Sequence, residues 1–133
     1  MGFYHYSDGN IHVPGICFAD LWPWFQDRVL VDVLRHEYGH ALEDKYPKYF
    51  HGREFKRAFG AEYGDAVVFK EGDEENYVSQ YAQQMTQEDF AETFMYYMKY
   101  NGALPRQFSR SKAIRLKWET VAAICQDIAK CKK

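Results

Sequence analysis

Apolar residues recur along much of this chain at three- and four-residue steps, the period of a helix that buries one face. Over residues 24–46 the stripe runs through Leu30, Val33, Leu34, Ala41 and Leu42, and Pro47 marks its end. A second helix is predicted over residues 52–61, with Phe55, Ala58 and Phe59 inward and Gly60 or Gly64 near its stop. A third starts at Thr86, read as an N-cap, with Asp89 as the acidic member of a capping box. It continues through Phe90, Ala91, Phe94, Met95 and Met98 and stops before Gly102. A fourth fits residues 110–130, with Ile114, Leu116, Trp118, Val121, Ala122 and Ile124 as its buried set. Strand-like segments are scarce. One is Ile11-His12-Val13, between a turn signal at Asp8-Gly9-Asn10 and the stop Pro14-Gly15. Another is Ala66-Val67-Val68-Phe69, inside a stretch over residues 64–77 that otherwise reads as loop. The apolar knot Leu21-Trp22-Pro23-Trp24-Phe25 leads into the first helix. The expectation is an α+β chain, mostly helical, with a short sheet or edge strand.

Composition narrows the class. A length of 133 residues suits a single domain over residues 1–133, with one core and not two. Hydrophobic residues at 47% and aromatics at 18% exclude a disordered segment. A net charge of -2 gives no basic footprint for nucleic acid. No apolar run has the length of a membrane span, and residues 1–10 lack the basic and apolar regions of an export signal. Neither nucleic acid nor membrane is therefore an expected partner. Cys17, Cys125 and Cys131 are an odd number and form no disulfide framework, which favours a cytoplasmic setting. The acidic cluster Glu71, Asp73, Glu74, Glu75 and the basic Lys130, Lys132, Lys133 read as solvated.

The candidate chemistry lies in the first predicted helix. His36-Glu37-Tyr38-Gly39-His40 matches H-E-x-x-H. Residues four apart project from one helix face, so both imidazoles can reach a single ion. Zinc accepts neutral imidazole nitrogen, and a catalytic zinc takes a third protein ligand while keeping a position for water. Glu37, at the edge of the same face, is placed to act as general base toward that water without binding the metal. Two residues compete for the third ligand. Glu88 recurs four residues later as Glu92, so one carboxylate can bind zinc while the other accepts a hydrogen bond from a ligand histidine. His51, ahead of the second helix, is the alternative.

With Glu88 and Glu92 downstream of the histidine pair, the pattern resembles the gluzincins. In them the first carboxylate is the third zinc ligand and the second supports a histidine. Tyr77-Val78-Ser79-Gln80-Tyr81-Ala82, followed by Glu88-Asp89-Phe90-Ala91-Glu92-Thr93-Phe94, looks like a bacterial family of zinc-binding metallopeptidases. Phe55, Phe59 and Gly60 match that family between the two motifs. The chain is also similar to the catalytic domain of anthrax lethal factor, whose tyrosine seven residues before its glutamate ligand corresponds to Tyr81. The resemblance covers roughly residues 28–100. It implies a zincin-like minimal metallopeptidase domain acting on a peptide or protein substrate. It also implies Glu88 as third ligand, Glu92 as the supporting carboxylate and Tyr81 as a donor to the oxyanion. Gln87 and Phe90 stand where the bacterial family often has Pro and Trp, and Glu92 is one methylene longer than the Asp of many gluzincins. Two alternatives stay open. His51-Gly52-Arg53-Glu54-Phe55 resembles the third-ligand region of Spartan-like proteases, which would make His51 the ligand. A zinc-stabilised binding module without catalysis would favour a fourth Cys or His, for which the cysteines are poorly spaced, and leaves Glu37 without a role.

Overall fold

The computed structural model describes residues 3–5, 7–12 and 26–131. The expectations at Val13, Pro14-Gly15, Cys17 and residues 21–25 lie outside them. The chain is mostly helical: α1 (Gln26–Lys45), α2 (Arg53–Phe59), α3 (Thr86–Lys99) and α4 (Lys112–Cys131). Two three-residue strands, β1 (Phe3–His5) and β2 (Asn10–His12), pair antiparallel with Phe3 opposite His12 and Tyr4 opposite Ile11. Asp8 Oδ1 accepts from the Asn10 amide at 2.9 Å, which closes the turn between them. This hairpin is the whole strand content among the described residues. Residues 66–69 are irregular, not a strand, and Val68 is exposed.

The helix boundaries follow from local chemistry. Pro47 cannot extend α1, and the residue before a proline is pushed out of helical geometry; Tyr46 accordingly has φ -132° and ψ 56°. α2 stops at Gly60, whose φ of 89° is the left-handed cap that glycine adopts without strain. The start of α3 departs from expectation. Met85, not Thr86, is the capping residue, and no side chain caps the helix. Thr86 is already helical. Its hydroxyl donates to the Glu62 carbonyl at 2.7 Å and accepts from the Gly64 amide at 2.9 Å, which pins the loop after α2 against α3. Asp89 is no capping-box member either. It is buried, with Oδ2 2.8 Å from Lys117 Nζ of α4 in a close ion contact that is not an aligned hydrogen bond.

Phenylalanines build the core. Phe50, Phe55, Phe59, Phe90 and Phe94 meet in edge-on and stacked pairs, closed by Leu42 of α1 and by Val121, Ile124 and Ile128 of α4. A second cluster, Val78, Ala82, Phe108, Ile114 and Trp118, seats the segment before α3 on α4. The amino-terminal half of α1 is different: Leu34 of the stripe is exposed, and so is Val31 beside it. On that half Asp32 lies 3.2 Å from Lys99 of α3 and 3.0 Å from Arg35 of its own helix. The pairings Asp32–Lys99 at one end and His40–Glu88 at the other make α1 and α3 antiparallel. Gly39 brings them close: a Cβ there would lie 3.1 Å from Ala91 Cα and 3.3 Å from Phe94 Cδ1. No helix among the described residues is long and apolar enough to cross a membrane.

Candidate metal centre

The close crossing at Gly39 sets the first turn of α3 against the two histidines of α1. His36, His40 and Glu88 are all buried, and one ligand atom from each lies within 4.8 Å of the others. His36 Nε2 is 3.2 Å from His40 Nε2 and 3.0 Å from Glu88 Oε2, while Glu88 Oε1 is 3.4 Å from His40 Nε2. Bonds of roughly 2.0–2.1 Å to a tetrahedral ion place neighbouring ligand atoms about 3.3–3.4 Å apart. The separation of the two imidazole nitrogens is close to that edge length, and Glu88 sets one carboxylate oxygen beside each of them. Two nitrogens and one oxygen also form a donor set that zinc accepts. No further His or Cys joins the group among the described residues.

Glu92, one turn beyond Glu88, takes the other side of His36. Its Oε2 accepts from His36 Nδ1 at 2.8 Å, and its Oε1 accepts from Ser79 Oγ at 2.8 Å. Burial lowers the pKa of the His36 imidazole, but hydrogen bonds and charge from Glu88 and Glu92 outweigh it and raise the value to about 9 without metal. The opposite balance holds for Glu88: burial pushes it up, and the hydrogen bonds from His36 and His40 bring it down to about 2. The cluster therefore holds a proton where a cation would sit.

Glu37 is buried on the same helix, outside the three-residue group. Its Oε2 accepts from the backbone amide of Tyr4 at 2.6 Å. Burial raises its pKa, partly offset by His36 and His40. The strand whose amide reaches this carboxylate is β1, a contact that no sequence pattern indicates. Tyr4 also donates through its hydroxyl to Asp44 Oδ2 at 2.6 Å, which anchors the hairpin along α1. Tyr81 sits on the short 3-10 turn Tyr81–Gln83 with its ring 5.5 Å from that of His36. Burial together with the Glu88 charge pushes the pKa of its hydroxyl up to about 12.

His51 is not brought to the group. It is 2.7 Å from Glu43, edge-on to Tyr63, with its side chain 51% exposed. The Spartan-like ligand set is therefore not assembled. Of the residues singled out from sequence, His36, His40, Glu88, Glu92, Glu37 and Tyr81 gather in one place. Ser79, Gly39 and the Tyr4 amide were not assigned roles there. Only Gly39 left a signal, since a glycine inside a helix costs about 1 kcal/mol and implies a packing reason. A shallow depression of about 450 Å3 is lined by Gln80, Tyr81, Gln83 and Gln84.

Comparison with curated proteins and with solved structures returned no match. A family model does match, over residues 25–128, and its description agrees with the donor set just described. The chain belongs to the family described as "Putative zinc-binding metallo-peptidase", and His36, His40 and Glu88 form a buried group able to hold a metal.

Proposed function

We propose that this chain hydrolyses peptide bonds in a peptide or protein substrate, with His36, His40 and Glu88 as zinc ligands and Glu37 as general base. The observation that carries the reading is the convergence of two imidazoles and a carboxylate beside a second buried carboxylate that belongs to no ligand set. A metal that only stapled the fold would leave Glu37 with the Tyr4 amide to accept from, a task that a neutral acceptor could fill without the cost of burying a carboxylate.

Bound zinc supplies Lewis acidity, which eases the ionisation of water near neutral pH and polarises a carbonyl. Glu37 takes the proton of the attacking water and returns it to the leaving amine. Burial raises its pKa, which suits a group that must both accept and release a proton. Tyr81, with its pKa at about 12, keeps its hydroxyl hydrogen at neutral pH and can donate it to the oxyanion of the substrate. Glu92 holds the Nδ1–H of His36, which leaves Nε2 as the ligand nitrogen. These roles match the gluzincin arrangement, and Tyr81 extends the likeness to the catalytic domain of anthrax lethal factor within a zincin-like domain.

The test is Glu37→Gln, which keeps size and removes the base. Zinc content should remain at about one per chain while cleavage of a fluorogenic peptide mixture falls by roughly 10²–10⁴-fold. Cleavage at the parent rate would overturn the assignment of Glu37 as base.

A further inference from the structure

Ser79 stands outside the metal group, two residues before Tyr81, and its hydroxyl is used twice. The oxygen accepts from the Ala82 amide at 3.2 Å, inside the turn that carries Tyr81. The hydrogen goes to Glu92 Oε1 at 2.8 Å. The directions along this chain are forced. An amide N–H can only donate, and an ionised carboxylate can only accept. The Ser79 hydroxyl accepts from Ala82 with one lone pair and points its single hydrogen at Glu92. Glu92 is then held at both oxygens, by Ser79 and by His36 Nδ1. A glutamate carboxylate held at one oxygen can swing about its remaining torsions; held at both, it presents Oε2 to His36 in one orientation.

We infer that Ser79 is a positioning residue of the metal centre, which orients Glu92 so that His36 keeps its hydrogen on Nδ1 and its Nε2 free for the metal. The same oxygen ties the Tyr81 turn to this relay, so that turn and ligand move as a unit. The inference rests on the reading of His36 as a ligand and of Glu92 as its support.

The experiment is a double-variant cycle on zinc affinity, read by competition with a chromophoric chelator at one near-neutral pH. Glu92→Ala should weaken zinc binding about 10–100-fold, the usual effect of losing an outer partner of a ligand histidine. Ser79→Ala should weaken it by a smaller factor, up to about tenfold. The two together should be no weaker than Glu92→Ala alone, because Ser79 acts only through Glu92. Ser79→Thr, which keeps the hydroxyl, should recover most of the loss. Thermal melts of the metal-free proteins control for folding, and Ser79→Cys, close in size and a poor donor, serves if the alanine variant melts early. Parent-like zinc affinity in Ser79→Ala and Ser79→Cys, beside weakened Glu92→Ala, overturns the inference and leaves the zinc site standing. So does a Ser79→Ala loss that recurs in full in the Glu92→Ala background. Undiminished zinc binding in His36→Ala would instead remove the underlying reading, and this inference with it.

Discussion

Gly39→Ala adds one methyl group to α1, between the two ligand histidines. The added carbon would lie 3.1 Å from Ala91 Cα and 3.3 Å from Phe94 Cδ1, both on α3. Favourable carbon–carbon contact begins near ~3.5 Å, so α3 has to retreat by about 0.4 Å. Ala91 lies on the same helix as Glu88 and Glu92, between the two in sequence, so the retreat carries both carboxylates away from His36. Metal–ligand distances tolerate only about 0.2 Å. Intrinsic helix propensity favours alanine over glycine by about 1 kcal/mol. Overpacking a close crossing costs about 1–3 kcal/mol, so net stability of the metal-free protein should fall by between nothing and about 2 kcal/mol. Zinc affinity should fall by about tenfold or more, because the displaced atom is a ligand. Urea melts of the metal-free protein and chelator competition measure the two effects separately. Gly52→Ala is the control, since a Cβ there meets nothing within 4 Å. A Gly39→Ala protein more stable by about 1 kcal/mol, with parent zinc affinity, would refute the argument that this contact sets the ligand distance.

Zinc binding should release a proton near pH 7, since His36 has a pKa of about 9 without metal and must be neutral as a ligand. Apparent affinity should then rise with pH up to about 9, and calorimetry in buffers of different ionisation enthalpy would detect the proton; equal heats in all buffers would count against it. In the metal-free protein the raised His36 value stabilises the fold below the ordinary imidazole value of 6.5, and this contribution is lost as pH rises through about 9, visible as a falling melting temperature. Lys117→Met should cost about 3–5 kcal/mol in urea melts by leaving buried Asp89 unpaired, and adding Asp89→Asn should recover most of that; no recovery would show that the lysine stem, not its charge, matters. His51→Ala should leave zinc content and affinity unchanged, since His51 pairs with Glu43 away from the group; a loss of zinc would revive it as a ligand.

The histidine pair was legible because its geometry is local. Residues four apart on one helix share a face whatever the rest of the chain does. The four helices were legible for the same reason: the three- and four-residue steps, Pro47 and Gly60 act within a few positions of themselves. Residues whose partners lie far along the chain were not readable in this way. Asp89 looked like a capping group, yet it pairs with Lys117 from another helix, in an interior where an unpaired charge is costly. Thr86 looked like an N-cap, and its hydroxyl went to the loop at Glu62 and Gly64. Leu34 fits the periodic stripe but is exposed, because periodicity says which residues share a face and not which neighbour covers it. Sequence alone thus determined the helices, the histidine pair and two carboxylates spaced to serve it. Only the tertiary structure decided that α3, rather than the segment at His51, meets that pair. The physical reason is the crossing at Gly39 and Ala91, where missing side-chain volume lets two helices approach closely enough for Glu88 and Glu92 to reach His36.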